Sequence, residues 1–81
     1  MPRQSINTDT DGRLHKLGAA IRAARLGSGL SQEALADAAG LDRSHMGKIE
    51  RGERNVTLLN VARVSDALGV SIANLMASAE I

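Results

Sequence analysis

Ser31-Gln32-Glu33-Ala34-Leu35-Ala36-Asp37-Ala38-Ala39-Gly40-Leu41-Asp42-Arg43-Ser44-His45-Met46-Gly47-Lys48-Ile49-Glu50-Arg51-Gly52 holds two short helical patterns on either side of a tight turn. Ser31 is a good N-cap for the first, over Gln32 to Ala39, and Glu33 suits the positive end of that helix. Leu35 and Ala38 are expected to face inward. Gly40 stops the helix, Leu41 is an apolar residue inside the turn, and Asp42 is expected to cap a helix over Arg43 to Arg51 that Gly52 ends. Turned at 100° per residue, Met46, Ile49 and Glu50 share one face of that helix. Ser44, Lys48 and Arg51 share the opposite face, and Arg43 lies on its flank. The outward face is polar and mostly basic, and Gly47 leaves it short-stemmed. Two helices joined this way predict a helix-turn-helix, whose second helix enters the major groove of DNA. Lys and Arg suit guanine edges and phosphates, and Ser can serve several bases.

Outward from this stretch the pattern stays helical. Upstream, Leu14, Leu17, Ile21 and Ala24 follow the spacing of one helix face over Arg13 to Leu26, with Arg25 beside that face. Gly27-Ser28-Gly29 ends it. That glycine pair is not a phosphate-cradling loop, which would follow a strand and carry Lys-Ser or Lys-Thr. Downstream, Gly52 to Val56 is a polar loop. Thr57 caps a fourth helix reaching Leu68, with Leu58, Val61, Val64, Ser65 and Leu68 inward. Ser71 caps a short fifth helix carrying Ile72, Leu75 and Met76. Residues 1–12 read as a flexible polar arm, and residues 13–78 as one folded domain.

Composition agrees with this all-α reading. A chain of 81 residues buries only about 60% of its unfolded surface. With no Cys, Phe, Tyr or Trp, its core must be built from Leu, Ile, Val, Met and Ala. That palette suits close-packed helices more than sheets. No apolar run approaches the roughly 20 residues of a membrane span, and residues 1–12 lack the apolar stretch of a signal peptide. The cytoplasm is the expected compartment. His15 and His45 have no partners at metal-ligand spacing, so neither a metal nor another cofactor is expected. No nucleophile sits with a base and an acid, and an enzyme is not expected.

Arg25-x6-Gln32-x2-Leu35-Ala36-x3-Gly40-x8-Ile49-Glu50-Arg51-Gly52, continued by Asn55-x-Thr57-Leu58 and Ala67-Leu68-Gly69-Val70-Ser71, resembles the phage-repressor/Cro-type helix-turn-helix family. The likeness spans about Leu14 to Met76. Leu41-Asp42-Arg43-Ser44 and Glu50-Arg51-Gly52-Glu53-Arg54-Asn55 look most like the controller proteins of restriction-modification systems. The resemblance implies a five-helix, lambda-repressor-like DNA-binding domain, acting as a homodimer on a palindromic operator to regulate transcription. It implies base reading by Arg43, Ser44 and Lys48. Ser31, Arg51, Arg54 and Asn55 match positions near phosphates, Arg54 also within reach of bases. Gln32 matches a glutamine that meets phosphate or supports the recognition helix. Arg25 and Glu50 match an ion pair between the first and third helices, as an inward carboxylate requires. The sequence departs from the family at His45, where an aromatic residue is frequent, at Val56, where proline is common, and at Glu53, where a basic residue is frequent.

The expected partners are therefore double-stranded DNA and a second copy of the chain, with no membrane and no small-molecule ligand. The fifth helix is apolar on more than one side and Leu59 lies off the fourth helix's core stripe. Leu59, Ile72, Leu75 and Met76 are therefore expected at a dimer interface. The competing reading is an antitoxin or adaptor module whose main ligand is a protein. Such antitoxins add a toxin-binding tail, and only five residues follow Met76 here. A non-specific DNA binder is disfavoured by a net charge of only +1, which gives weak general attraction to phosphate.

Overall fold

Asp9 sets the start of the first helix. Residues 9–81 are described in the computed structural model of the chain, and most of the arm expected over residues 1–12 lies outside them. Asp9 is placed so that its carboxylate accepts from the backbone N–H of Leu14 and of His15, at 3.1 and 3.2 Å. Desolvation pushes the Asp9 carboxyl upward. The backbone donors oppose it and hold the pKa below its ordinary value. The last residues of the expected arm therefore form the capping turn of α1, which spans Arg13–Gly27.

Four helices follow: α2 (Gln32–Ala39), α3 (Arg43–Glu50), α4 (Leu58–Leu68) and α5 (Ile72–Ala79). Three N-caps use a hydroxyl, as the sequence leads one to expect. Ser31 Oγ accepts from Ala34 N at 2.9 Å, Thr57 Oγ1 from Asn60 N at 3.1 Å, and Ser71 Oγ from Asn74 N at 3.0 Å. Asp42 has the extended backbone of an N-cap, but its side chain accepts no capping bond. The turn between α2 and α3 closes at Gly40, whose φ of 72° is left-handed. That geometry lets Leu41 N donate to Ala36 O at 2.8 Å, satisfying a terminal carbonyl of α2.

The helices enclose one core. Helix α2 packs on α3 and α4, while α1 packs on α3 and α5. Ile21, Leu35, Met46, Ile49 and Val64 are sealed within it, each worth about 1.5–3 kcal/mol of burial. Ala79 is buried as well, so the packed unit includes the last turn of α5. Two inward assignments differ in the structure. On α2 the buried alanines are Ala36 and Ala39, and Ala38 is exposed. Alanines at 34, 36, 38 and 39 leave the phase of so short a helix undetermined by periodicity. On α4, Leu58 is 70% exposed. Periodicity gives its face, but not whether neighbouring helices reach that far along the axis.

A glycine inside α1 permits a close approach of two helices. A Cβ built on Gly18 would fall on the carbonyl oxygens of Ile49 and Glu50, at 2.5 Å from the latter. Helix α1 therefore lies against the last turn of α3, backbone to backbone. Gly52, with φ +73°, continues this seam. A Cβ there would stand 2.8 Å from His15 Cα. The recognition helix is thus fixed to α1 at its C-terminal end.

Candidate nucleic-acid interface

The outer face of α3 carries Arg43, Ser44 and Lys48, all exposed, with Arg51 at the helix C-cap. With Gln32 and Gly47 they line one open depression. Gly47 itself is buried, and the reason differs from the open groove expected of it. A Cβ at Gly47 would lie 3.1 Å from Arg51 Nη1 and 3.4 Å from Gln32 Oε1. The missing side chain makes room for the Arg51 guanidinium, which folds back across α3 toward Gln32.

Behind this face lies a buried polar network. Arg25 Nε donates to Glu50 Oε2 at 2.7 Å and Arg25 Nη2 to Glu50 Oε1 at 3.0 Å. Arg25 Nη1 donates to Leu30 O at 3.0 Å. The Arg25 and Glu50 side chains are 10% and 2% exposed, so the pair is two-pronged and nearly dry. The hydrogen bonds to Glu50, opposed by desolvation and aided by its charge, hold the Arg25 pKa above its ordinary value. Gln32 Nε2 also donates to Glu50 Oε1, at 3.1 Å. One carboxylate thereby ties together α1, α2 and α3. Leaving such a charge unpaired would be costly, and the network fixes how α3 projects from the domain.

The remaining expected residues fall around this face. Ser31 is exposed at the start of α2, its Oγ occupied as an acceptor by the cap and its O–H still available as a donor. Gln32 bridges to Glu50 and keeps a second amide N–H. Arg54 is half-buried and Asn55 exposed in the loop after α3. Glu53 in the same loop pairs with Arg51, Nε to Oε2 at 3.2 Å, an interaction between residues two apart that helix periodicity gives no means of finding. Gly18 is absent from the residues that the sequence patterns single out, although a glycine inside a helical pattern is the usual mark of a close packing contact.

Among the residues expected at a dimer surface, Leu75 needs correcting. It is 2% exposed within the chain's own core and has no surface left to offer a partner. Helix α5 packs on α1 and α4. Ile72 and Met76 are half-buried. Leu59 is 61% exposed, next to the exposed Leu58.

Among the described residues, no cluster of His, Cys, Asp or Glu could hold a metal ion. No helix among them is long and apolar enough to cross a membrane.

Known proteins share this architecture. The helix-turn-helix family model matches residues 21–75. The control protein C.BamHI of Bacillus amyloliquefaciens is 45% identical over 60 residues, covering 73% of this chain and 74% of that protein. The control protein C.SmaI of Serratia marcescens is 43% identical over 56 residues, covering 69% and 67%. The crystal structure of the restriction-modification controller protein C.AhdI of Aeromonas hydrophila superposes with a TM-score of 0.75 at 47% identity, over 76% of this chain and 94% of that one. The chain belongs to the helix-turn-helix family, close to the restriction-modification control proteins, and is a DNA-binding transcription regulator.

Proposed function

We propose that the protein acts as a homodimer on a palindromic operator, in the manner of a restriction-modification controller, within the cytoplasm and without cofactor or catalysis. The observation that carries this reading is the outer face of α3, exposed and basic, braced from behind by the Arg25–Glu50–Gln32 network. In this reading α3 lies in the major groove and Arg43, Ser44 and Lys48 meet base edges. Ser31, Gln32, Arg51, Arg54 and Asn55 meet the flanking phosphates. Both Ser31 and Gln32 retain a donor for this after their structural bonds.

The neighbouring exposed leucines Leu58 and Leu59 favour self-association, with Ile72 and Met76 at the margin. A two-fold dimer would set two copies of α3 about 34 Å apart, one turn of DNA. Selection from random duplexes with the purified protein tests the proposal. It should return two inverted half-sites centred about 10 base pairs apart or a multiple of that. Failure to enrich any sequence, or enrichment of one unrepeated half-site, would overturn it.

A further inference from the structure

Glu53 is an anion placed beside a face that otherwise presents cations. Its carboxylate lies 3.2 Å from Arg51 Nε, with the two side chains 53% and 57% exposed. Its backbone N–H donates to Lys48 O at 2.9 Å, which holds the start of the loop against the last turn of α3. The carboxylate is thus anchored at the C-terminal edge of the recognition helix. Such a position does little for the fold. An ion pair this exposed contributes little to stability, and a negative charge at a helix C-terminus opposes the helix dipole. Arg51 meanwhile lines the same depression as Gln32 and Lys48 and stands at the C-cap of α3, the end where a phosphodiester strand would pass if α3 entered the groove.

A carboxylate oxygen and a phosphate oxygen are alternative acceptors for the same guanidinium. We propose that Glu53 is an internal competitor of the DNA backbone for Arg51, a residue that sets affinity downward on every duplex alike. This inference rests on the reading that the α3 face binds DNA. For a phosphate to take the place of the Glu53 carboxylate beside Arg51 Nε, the Arg51–Glu53 pair must open, and the loss of that pair offsets part of the phosphate contact. Since phosphate attraction is blind to sequence, weakening it leaves complex formation dependent on the base contacts of α3.

The test measures wild type, Glu53→Gln and Glu53→Ala on the selected operator and on an unrelated duplex of equal length, across a salt series. The same Glu53→Gln change is measured in an Arg51→Gln background. Both Glu53 variants should bind both duplexes about three- to fivefold more tightly at about 0.1 M salt, the size expected when an exposed ion pair no longer has to open before Arg51 meets a phosphate. The slope of log affinity against log salt should steepen by up to about one. In the Arg51→Gln background the gain should fall below about twofold, because the competition runs through Arg51. No gain, weaker binding, or a gain undiminished without Arg51 would overturn the proposal. A wild type that binds no duplex would instead overturn the DNA-binding assignment itself, and that outcome is distinct from a binding wild type that Glu53→Gln leaves unchanged.

Discussion

Removing the Glu50 carboxylate should strongly destabilise the domain, although Glu50 is not proposed to touch DNA. In the native chain it accepts from Arg25 Nε, Arg25 Nη2 and Gln32 Nε2, with only 2% of its side chain exposed. Glu50→Ala leaves the Arg25 guanidinium, itself 10% exposed, with two orphaned donors, Nε and Nη2, in the protein interior. Breaking a buried pair from one side costs roughly 3–5 kcal/mol. Each kcal/mol lowers the melting temperature of a domain this size by about 4–8 °C. The expected fall is therefore at least about 12 °C, against a total stability of about 5–10 kcal/mol for a small domain.

The raised Arg25 pKa does not add a pH switch. A cation with a raised pKa stabilises the fold at every pH below its unfolded value and loses that contribution only above the ordinary guanidinium range. Two further variants separate charge burial from the effect of a smaller side chain. Glu50→Gln keeps the shape and one acceptor, and should fall between wild type and Glu50→Ala. Replacing both partners by apolar residues, Arg25→Met with Glu50→Leu, should recover much of the stability. Thermal unfolding followed by circular dichroism at pH 7 reads all of these. A melting temperature for Glu50→Ala within about 3 °C of wild type would show that the buried pair does not hold α1 to α3.

Gly18→Ala should cost about 1–3 kcal/mol or more in urea unfolding, because its methyl would meet the backbone carbonyls of Ile49 and Glu50, which cannot rotate away. Leu59→Asp should convert the proposed dimer to a monomer in sedimentation at micromolar concentration and leave the melting transition of the isolated chain nearly unchanged, since Leu59 lies outside the core; a dimer that survives this change would place the interface elsewhere. Asp9→Ala should speed amide hydrogen exchange at Leu14 and His15. Because the folded pKa of Asp9 is depressed, its contribution is present above the unfolded carboxylate value and lost as pH falls through the folded one. Acid unfolding of the variant should accordingly depend less steeply on pH below about 4.

Much of this architecture is legible in the sequence because its signals are local. Ser31, Thr57 and Ser71 mark helix starts through bonds made within three residues, and Gly40 and Gly69 mark left-handed ends. What escapes such reading depends on packing across the chain or on how far a helix extends past its neighbours. The exposure of Leu58 and the near-complete burial of Leu75 depend on the reach of other helices, which a residue's angular position does not give. The space beside Gly47 looks open until Arg51, from the following turn, is seen to fill it. Asp9 caps α1 from five and six residues away, across the left-handed Gly12. That lies outside the usual N-cap register, so helix patterning does not find this cap.

Whether Arg43, on the exposed face of α3, reads the DNA sequence is decided by Arg43→Ala. Arg43 stands at the N-terminal end of α3, and Arg51 at its far end beside the loop. Affinities of wild type, Arg43→Ala and Arg51→Ala should be measured on the selected operator and on every single-base-pair change of one half-site, with salt varied. Arg43→Ala should lose about 1–3 kcal/mol of discrimination at one position in each half-site, leaving the other positions as selective as before. Arg51→Ala should weaken all duplexes together and reduce the salt slope by about one for each phosphate it no longer neutralises. If Arg43→Ala keeps full discrimination at every position, base reading by Arg43 is contradicted.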